Sequence, residues 1–168
     1  MHILFTDSIP INAPANSVWR ALSRWHDPSG WVPQCVTCEI IDPPGIREGV
    51  GAVRRIQEED QVLLETAVSW EAPSRIAIAV SGVPPFVKNV VTTFEVKAST
   101  DSTCTFSVSS SSATGLWIIG MILAPIAKRA QRAELCKLLA AMKHHVESGK
   151  RATHDDVKRV LAVYPNLK

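Results

Sequence analysis

The sequence predicts an α+β fold: a curved antiparallel sheet of about seven strands wrapped around a long C-terminal helix, with two short helices after the first strand. Three observations lead there. Residues 35–111 fall into six short β-type segments divided by turn residues. Residues 116–147 then carry helical texture, with Gly149 placed as the cap just past the end. One strand-like and one helix-like segment precede both.

The opening run over 3–12, ILFTDSIPIN, mixes alternating apolar and polar positions as a strand does, and Pro10 puts that strand at an edge or bends it. Ala13-Pro14-Ala15-Asn16-Ser17 starts a helix, because proline suits a first turn. Val18, Trp19, Ala21, Leu22 and Trp25 supply its apolar stripe. His26-Asp27-Pro28-Ser29-Gly30 is a turn or the second short helix.

The β segments are 35–42, 50–58, 61–71, 75–81, 87–97 and 103–111. Their separators are Pro43-Pro44-Gly45, Glu59-Asp60, Ala72-Pro73-Ser74, Gly82-Val83-Pro84-Pro85 and Ser99-Thr100-Asp101, short enough to favour an antiparallel meander. In the long helix, Pro125 predicts a kink or a break that divides it in two. Beyond it, Ala127, Ala130, Glu134, Leu135, Leu138, Ala141 and Met142 recur along one side, and Lys128, Arg129, Arg132 and Lys143 populate the other. Residues 1–149 read as a single domain. Residues 150–168 read as an appendix, in which Thr153 and Asp156 begin a short helix ending near Val163-Tyr164.

Composition narrows the function. The 168 residues suit one domain and can bury a core without a metal or disulfides. A net charge of +2 makes no electrostatic case for nucleic acid. The greasiest stretch, LWIIGMILAPIA over 116–127, is shorter than the ~20 residues a membrane span needs, and no signal-peptide pattern opens the chain. The reading is a cytoplasmic protein without an integral membrane span.

Four cysteines, Cys35, Cys38, Cys104 and Cys136, are too scattered for a disulfide framework. Cys35 and Cys38 have redox or zinc spacing, but on a strand the two sulfurs point to opposite faces and no second ligand pair completes a site. The five histidines show no metal-binding spacing, and no nucleophile elbow, P-loop or dinucleotide fingerprint occurs. Neither a metal nor a cofactor is expected.

If Glu59-Asp60 is a two-residue hairpin loop, Glu58 pairs with Gln61, Ile56 with Leu63, Arg54 with Glu65, and Ala52 with Ala67. Arg54 and Glu65 then face each other as a cross-strand charge pair, on the same side as Ile56, Leu63, Ala67 and Ser69. The opposite side carries Val53, Arg55, Val62, Leu64, Thr66, Val68 and Trp70. Hydrophobicity alone turns that second side inward and leaves the pair in water, worth ~0–1 kcal/mol. The other arrangement buries the pair, where it would orient a ligand.

In order and spacing, several segments resemble the SRPBCC superfamily and, within it, the polyketide cyclase/dehydrase-like family. They are INAPANSVWRALSRW (11–25), Trp31 with Pro33, GVGAVRR (49–55), LLETAVSWEAPSRIAIAV (63–80), SGVPPFVKNVVTTFEV (81–96) and the closing helix. Relatives include START lipid-transfer domains, the birch pollen allergen group and the plant abscisic acid receptors. The resemblance covers about residues 5–148 and implies a helix-grip fold enclosing a deep apolar cavity. It also implies that Arg54 and Glu65 face inward. On that alignment Ile56, Leu63, Ala67, Ile78, Val80, Val90, Thr92, Phe94, Ile126, Ala130 and Glu134 line the cavity, and 81–86 matches a gating loop. Val32 stands where the hormone receptors carry a lysine for the ligand carboxylate.

Two functions follow from that resemblance. The cavity binds a hydrophobic small molecule of polyketide, lipid or polycyclic type. Alternatively the chain is a cyclase/aromatase or dehydratase, with Glu65 as acid/base and Arg54 or Thr92 on the developing oxyanion. An adjacent arginine favours the charged carboxylate and so opposes the second role. LWIIGMIL (116–123) packs over the cavity, forms a contact between two copies in a homodimer, or lies at a lipid interface.

Overall fold

The computed structural model describes residues 2–41, 46–59, 61–83, 87–114 and 117–167, with side chains throughout except at 2–4, 114 and 117–124. The turn Pro43-Pro44-Gly45, the hairpin residue Asp60, the gate residues Pro84-Pro85-Phe86 and the side chains of 116–123 lie outside it.

Strand β1 (His2–Ile11) leads into helix α1 (Ala15–Leu22), followed by β2 (Thr37–Ile41), β3 (Val53–Gln57), β4 (Val62–Glu71), β5 (Arg75–Ser81), β6 (Val87–Ala98) and β7 (Cys104–Thr114). The long helix α2 (Trp117–Ser148) and a short α3 (His154–Val163) complete the order. Turns occupy 23–36 in place of the second short helix expected after β1. They are closed by bonds such as Val32 N to the Pro28 carbonyl at 2.9 Å.

The strands form one seven-stranded antiparallel sheet in the order β1-β7-β6-β5-β4-β3-β2. Every neighbour except β1–β7 is also consecutive in sequence, as expected when the connections are short. Alternation sets the inner face. On β6 it carries Val90, Thr92, Phe94 and Val96, and on β7 Cys104, Phe106, Val108, Ser110 and Ser112, all buried. Phe94 stacks on Phe106 at 5.9 Å and meets the Trp31 ring edge at 5.5 Å.

The β3–β4 register is as read from the hairpin: Arg54 opposes Glu65 and Ile56 opposes Leu63. Their facing follows the family resemblance and not hydrophobicity. Arg54, Ile56, Glu65 and Ala67 are buried, while Leu64 and Val68 are 40% and 46% exposed on the convex side. Trp70 departs from its expected side for a local reason. Ala67 pairs with Ile78 but Ser69 pairs with Ala77, so Val68 is an extra residue. The bulge reverses side-chain parity and brings Trp70 inward, against Trp19 and Trp25 at 6.1 and 5.8 Å.

Helix α2 runs unbroken through Pro125, so the expected division does not form. A proline deletes one backbone donor and crowds one carbonyl, a local loss that the turns on either side survive. Full burial starts at Leu135 and takes in Cys136, Leu139, Ala140, Ala141 and Met142. Lys143, expected on the polar side, is buried too. It donates to the Pro10 carbonyl at 2.9 Å and to Glu147 Oε1 at 2.6 Å.

After α2 the chain packs back. Thr153 and Asp156 form the capping box that starts α3. Those bonds from Thr153 hold the Asp156 carboxyl below its ordinary range. Arg132 clasps both oxygens of Asp7 at 2.7 and 2.8 Å and reaches the Asn166 carbonyl at 2.7 Å. Leu167 is buried in the main core, and Tyr164 packs against that core.

Candidate functional site

The inner face of the sheet and α2 enclose a cavity of about 680 Å³. Its floor comes from alternate residues of five consecutive strands, β3 to β7, so the antiparallel meander that folds the chain also places the lining. Ile56, Leu63, Ile78, Val80, Val90 and Phe94 make the apolar part. Thr92, Arg54 and Glu65 also line it, with Ala130 and Glu134 on the helix side.

Two expected lining residues do not belong. Ala67 is 1% exposed and lies in the packed core, beside the point where the bulge directs Trp70 inward. Ile126 is 65% exposed and turned to solvent, because the apolar periodicity of α2 continues past the region where the helix is covered.

Arg54 and Glu65 meet within the cavity wall. Arg54 Nε and Nη2 lie 2.7 and 2.6 Å from the same oxygen, Glu65 Oε2. Nη1 donates to the Trp25 carbonyl at 3.1 Å, and the guanidinium lies 4.0 Å over the Trp25 ring. The arginine is therefore fixed by a strand on one side and by the turn after α1 on the other. Glu65 Oε1 accepts no hydrogen bond among the described residues. Beside them, Cys38 donates to the same Trp25 carbonyl, and burial pushes its thiol up to about 11 against the pull of Arg54.

A second polar group stands across the cavity and escaped the sequence reading. Gln131 on α2 donates from Nε2 to Ser110 Oγ at 2.9 Å and accepts from Ser112 Oγ at 3.4 Å. Ser110 is 3.4 Å from Thr92 Oγ1. The available signal was weak: Gln131 is one helical turn from both Ala127 and Leu135, and Ser110 and Ser112 share a strand face.

Trp31, Val32 and Gln34 also line the cavity from the turns after α1. At the rim, Glu58, Glu59 and Gln61 of the hairpin face Lys137 and His154. Glu134 accepts from Lys137 at 2.7 Å and from Gln34 at 3.3 Å, closing part of the rim. The rim residues were not foreseen, because nothing in the hairpin's own pattern indicates what stands opposite. All four cysteines are free thiols. Among the described residues, no helix is long and apolar enough to cross a membrane.

A curved seven-stranded sheet gripping a long C-terminal helix, with an internal cavity between them, defines a helix-grip protein. The family described as polyketide cyclase / dehydrase and lipid transport matches residues 2–147, and the chain belongs to that family, within the SRPBCC superfamily. No curated protein matches the sequence. Among solved structures, a Nitrosospira multiformis protein shares 21% identity over 87% of this chain and 97% of its own, with a TM-score of 0.62. Ara h 8.0201 shares 15% over 88% and 99%, with a TM-score of 0.65. A norcoclaurine synthase point mutant from Thalictrum flavum, solved with a transition-state analogue, shares 14% over 89% and 96%, with a TM-score of 0.63. At these identities the likeness is one of fold.

Proposed function

We propose that this chain binds a hydrophobic small molecule of polyketide, lipid or polycyclic type in the cavity between sheet and α2. The observation that carries the reading is the cavity itself. About 680 Å³ is lined mainly by aliphatic and aromatic side chains, with a few polar groups at fixed places. A close-packed interior of this size leaves few voids larger than a water molecule, so retained space of that volume points to an occupant.

Uptake of the neutral dye Nile red tests this, with Val80→Trp as the blocking variant. The wild type should bind the dye, and the variant should bind it at least tenfold more weakly with an unchanged thermal midpoint. Equal uptake by both would place the dye elsewhere and remove the support. Native mass spectrometry of the purified protein adds the ligand class, through an adduct that disappears on denaturation.

A catalytic reading is favoured by one separate observation, the unbonded Oε1 of Glu65 beside a fixed arginine. Glu65 would take a proton from an activated carbon while Arg54 or Thr92 held the oxyanion. Glu65→Gln separates the two roles. Lost turnover of a poly-β-keto substrate with retained affinity supports catalysis, and parallel loss of both supports binding alone.

A further inference from the structure

The cavity has two polar poles of opposite hydrogen-bonding sense. At one, on β4, Glu65 Oε2 is saturated by Arg54 while Oε1 has no partner among the described residues. Glu65 lines the cavity, and its Oε1 is open to whatever fills that space. A charged acceptor facing an apolar cavity with no protein donor is one that a ligand hydroxyl or N–H would fill.

At the other pole, Gln131 spends one amide N–H on Ser110 and receives Ser112 on its carbonyl. Its second N–H is unspent, because a primary amide carries two. Thr92, 4% exposed, has its hydroxyl hydrogen-bonded to Ser110 and adjoins the same wall. This pole offers a donor, so it suits a ligand carbonyl.

Between the poles the described part of the sheet presents Val80, Ile78 and Val90. Glu65 on β4 and Ser110 on β7 are three inter-strand spacings apart, about 14 Å along the curved sheet. The lining arginine and lysine are both paired, Arg54 with Glu65 and Lys137 with Glu134, and His154 stands only at the rim.

We propose that the ligand is an uncharged, elongated apolar molecule with a hydroxyl donor at the Glu65 end and a carbonyl acceptor at the Gln131–Thr92 end. This rests on the ligand-binding reading above and adds polarity and orientation to it. A free fatty acid with its carboxylate at the inner end fits poorly, since that group would meet Glu65 or the arginine already paired with it.

Displacement of Nile red by three rigid probes decides the matter: estrone, with a phenol and a ketone at opposite ends, its 3-methyl ether, and 17-deoxyestrone. Estrone should compete at least tenfold better than either analogue. Gln131→Met should lower estrone to the level of the deoxy compound and leave the deoxy compound unchanged. Thr92→Val, close to isosteric, should act in the same direction and covers the case in which Gln131→Met disturbs α2. If Nile red binds but the three probes compete within twofold of each other, or none competes, the two-pole arrangement is overturned and the cavity reading survives. If Nile red itself does not bind, both fall together.

Discussion

Arg54 and Lys143 are both buried cations, at 3% and 8% exposure, yet their surroundings differ in one decisive respect. Around Lys143 the bonds tie elements together, and the one oxygen left over, Glu147 Oε2, belongs to a side chain 27% exposed. Its ammonium reaches the Pro10 carbonyl and Glu147 and lies 5.6 Å from the centre of the Tyr164 ring. Glu147 Oε1 also accepts from the Asn12 amide at 2.6 Å. The cluster ties α2 to the end of β1 and to the C-terminal residues, and it is not part of the cavity lining given by the described residues. Around Arg54 the arginine is fixed with equal care, but its carboxylate partner keeps one oxygen open toward the cavity. A spare carboxylate oxygen on a partly exposed side chain is met by solvent, whereas one in a cavity wall is available to a ligand.

The strongest way to break this contrast is to remove one partner of each cluster. Arg54→Met strands the Glu65 carboxylate and should cost about 3–5 kcal/mol in a denaturant titration. Adding Glu65→Leu should restore most of that stability, because the uncompensated charge is gone. The double variant should nonetheless fail to distinguish estrone from its methyl ether. A double variant no more stable than the single one would mean that the pair is needed for folding itself.

Lys143→Met is the smaller perturbation, about 1–3 kcal/mol from lost charge-assisted hydrogen bonds. Glu147 keeps the Asn12 amide, which limits the damage. Nile red affinity should stay within twofold of wild type. A tenfold loss would show that the two regions are coupled, and the contrast between them would dissolve.

The cysteines sharpen the comparison with the mildest effect. Burial pushes the Cys38 and Cys136 thiols from an ordinary 9.0 to about 11. Between those values the folded state holds protons that the unfolded state has released, so stability falls as pH rises from 9 to 11. The thermal midpoint should decline over that window and lie flat from pH 7 to 8. Cys38 senses Arg54, and Cys104 senses Lys143 and Glu147. At pH 8, iodoacetamide should therefore modify Cys38 more slowly in Arg54→Met and Cys104 more slowly in Lys143→Met, because each loses the cation that favours its thiolate, with the other thiol unchanged. Faster reaction at both sites in either variant would indicate global loosening.

The two regions also differ in how far they could be read in advance. The Arg54–Glu65 pairing was legible because a short hairpin sets the register over a few residues, and β3 and β4 obey it. Its inward facing was not legible from hydrophobicity, since Leu64 and Val68 look like the better core residues and are exposed. A wall beside a cavity has no tight packing to complete, so it accommodates a charge pair that a filled core would reject. Trp70 was misplaced by one residue's worth of parity, which only the bulge at Val68 corrects. Lys143 was misplaced because the Pro10 carbonyl that receives it lies at the far end of the sequence.

Local pattern alone determined the strand and helix order, the antiparallel connections, the α3 capping box and the Arg54–Glu65 register, all of which depend on residues close together in the chain. Tertiary structure decided which sheet face is concave, where α2 is covered, and that Gln131 meets Ser110 and Ser112. It also decided that Ile126 and Ala67 stand outside the cavity. Those outcomes depend on sheet curvature and on which surfaces meet across the cavity, and sequence periodicity carries no record of what lies opposite a face.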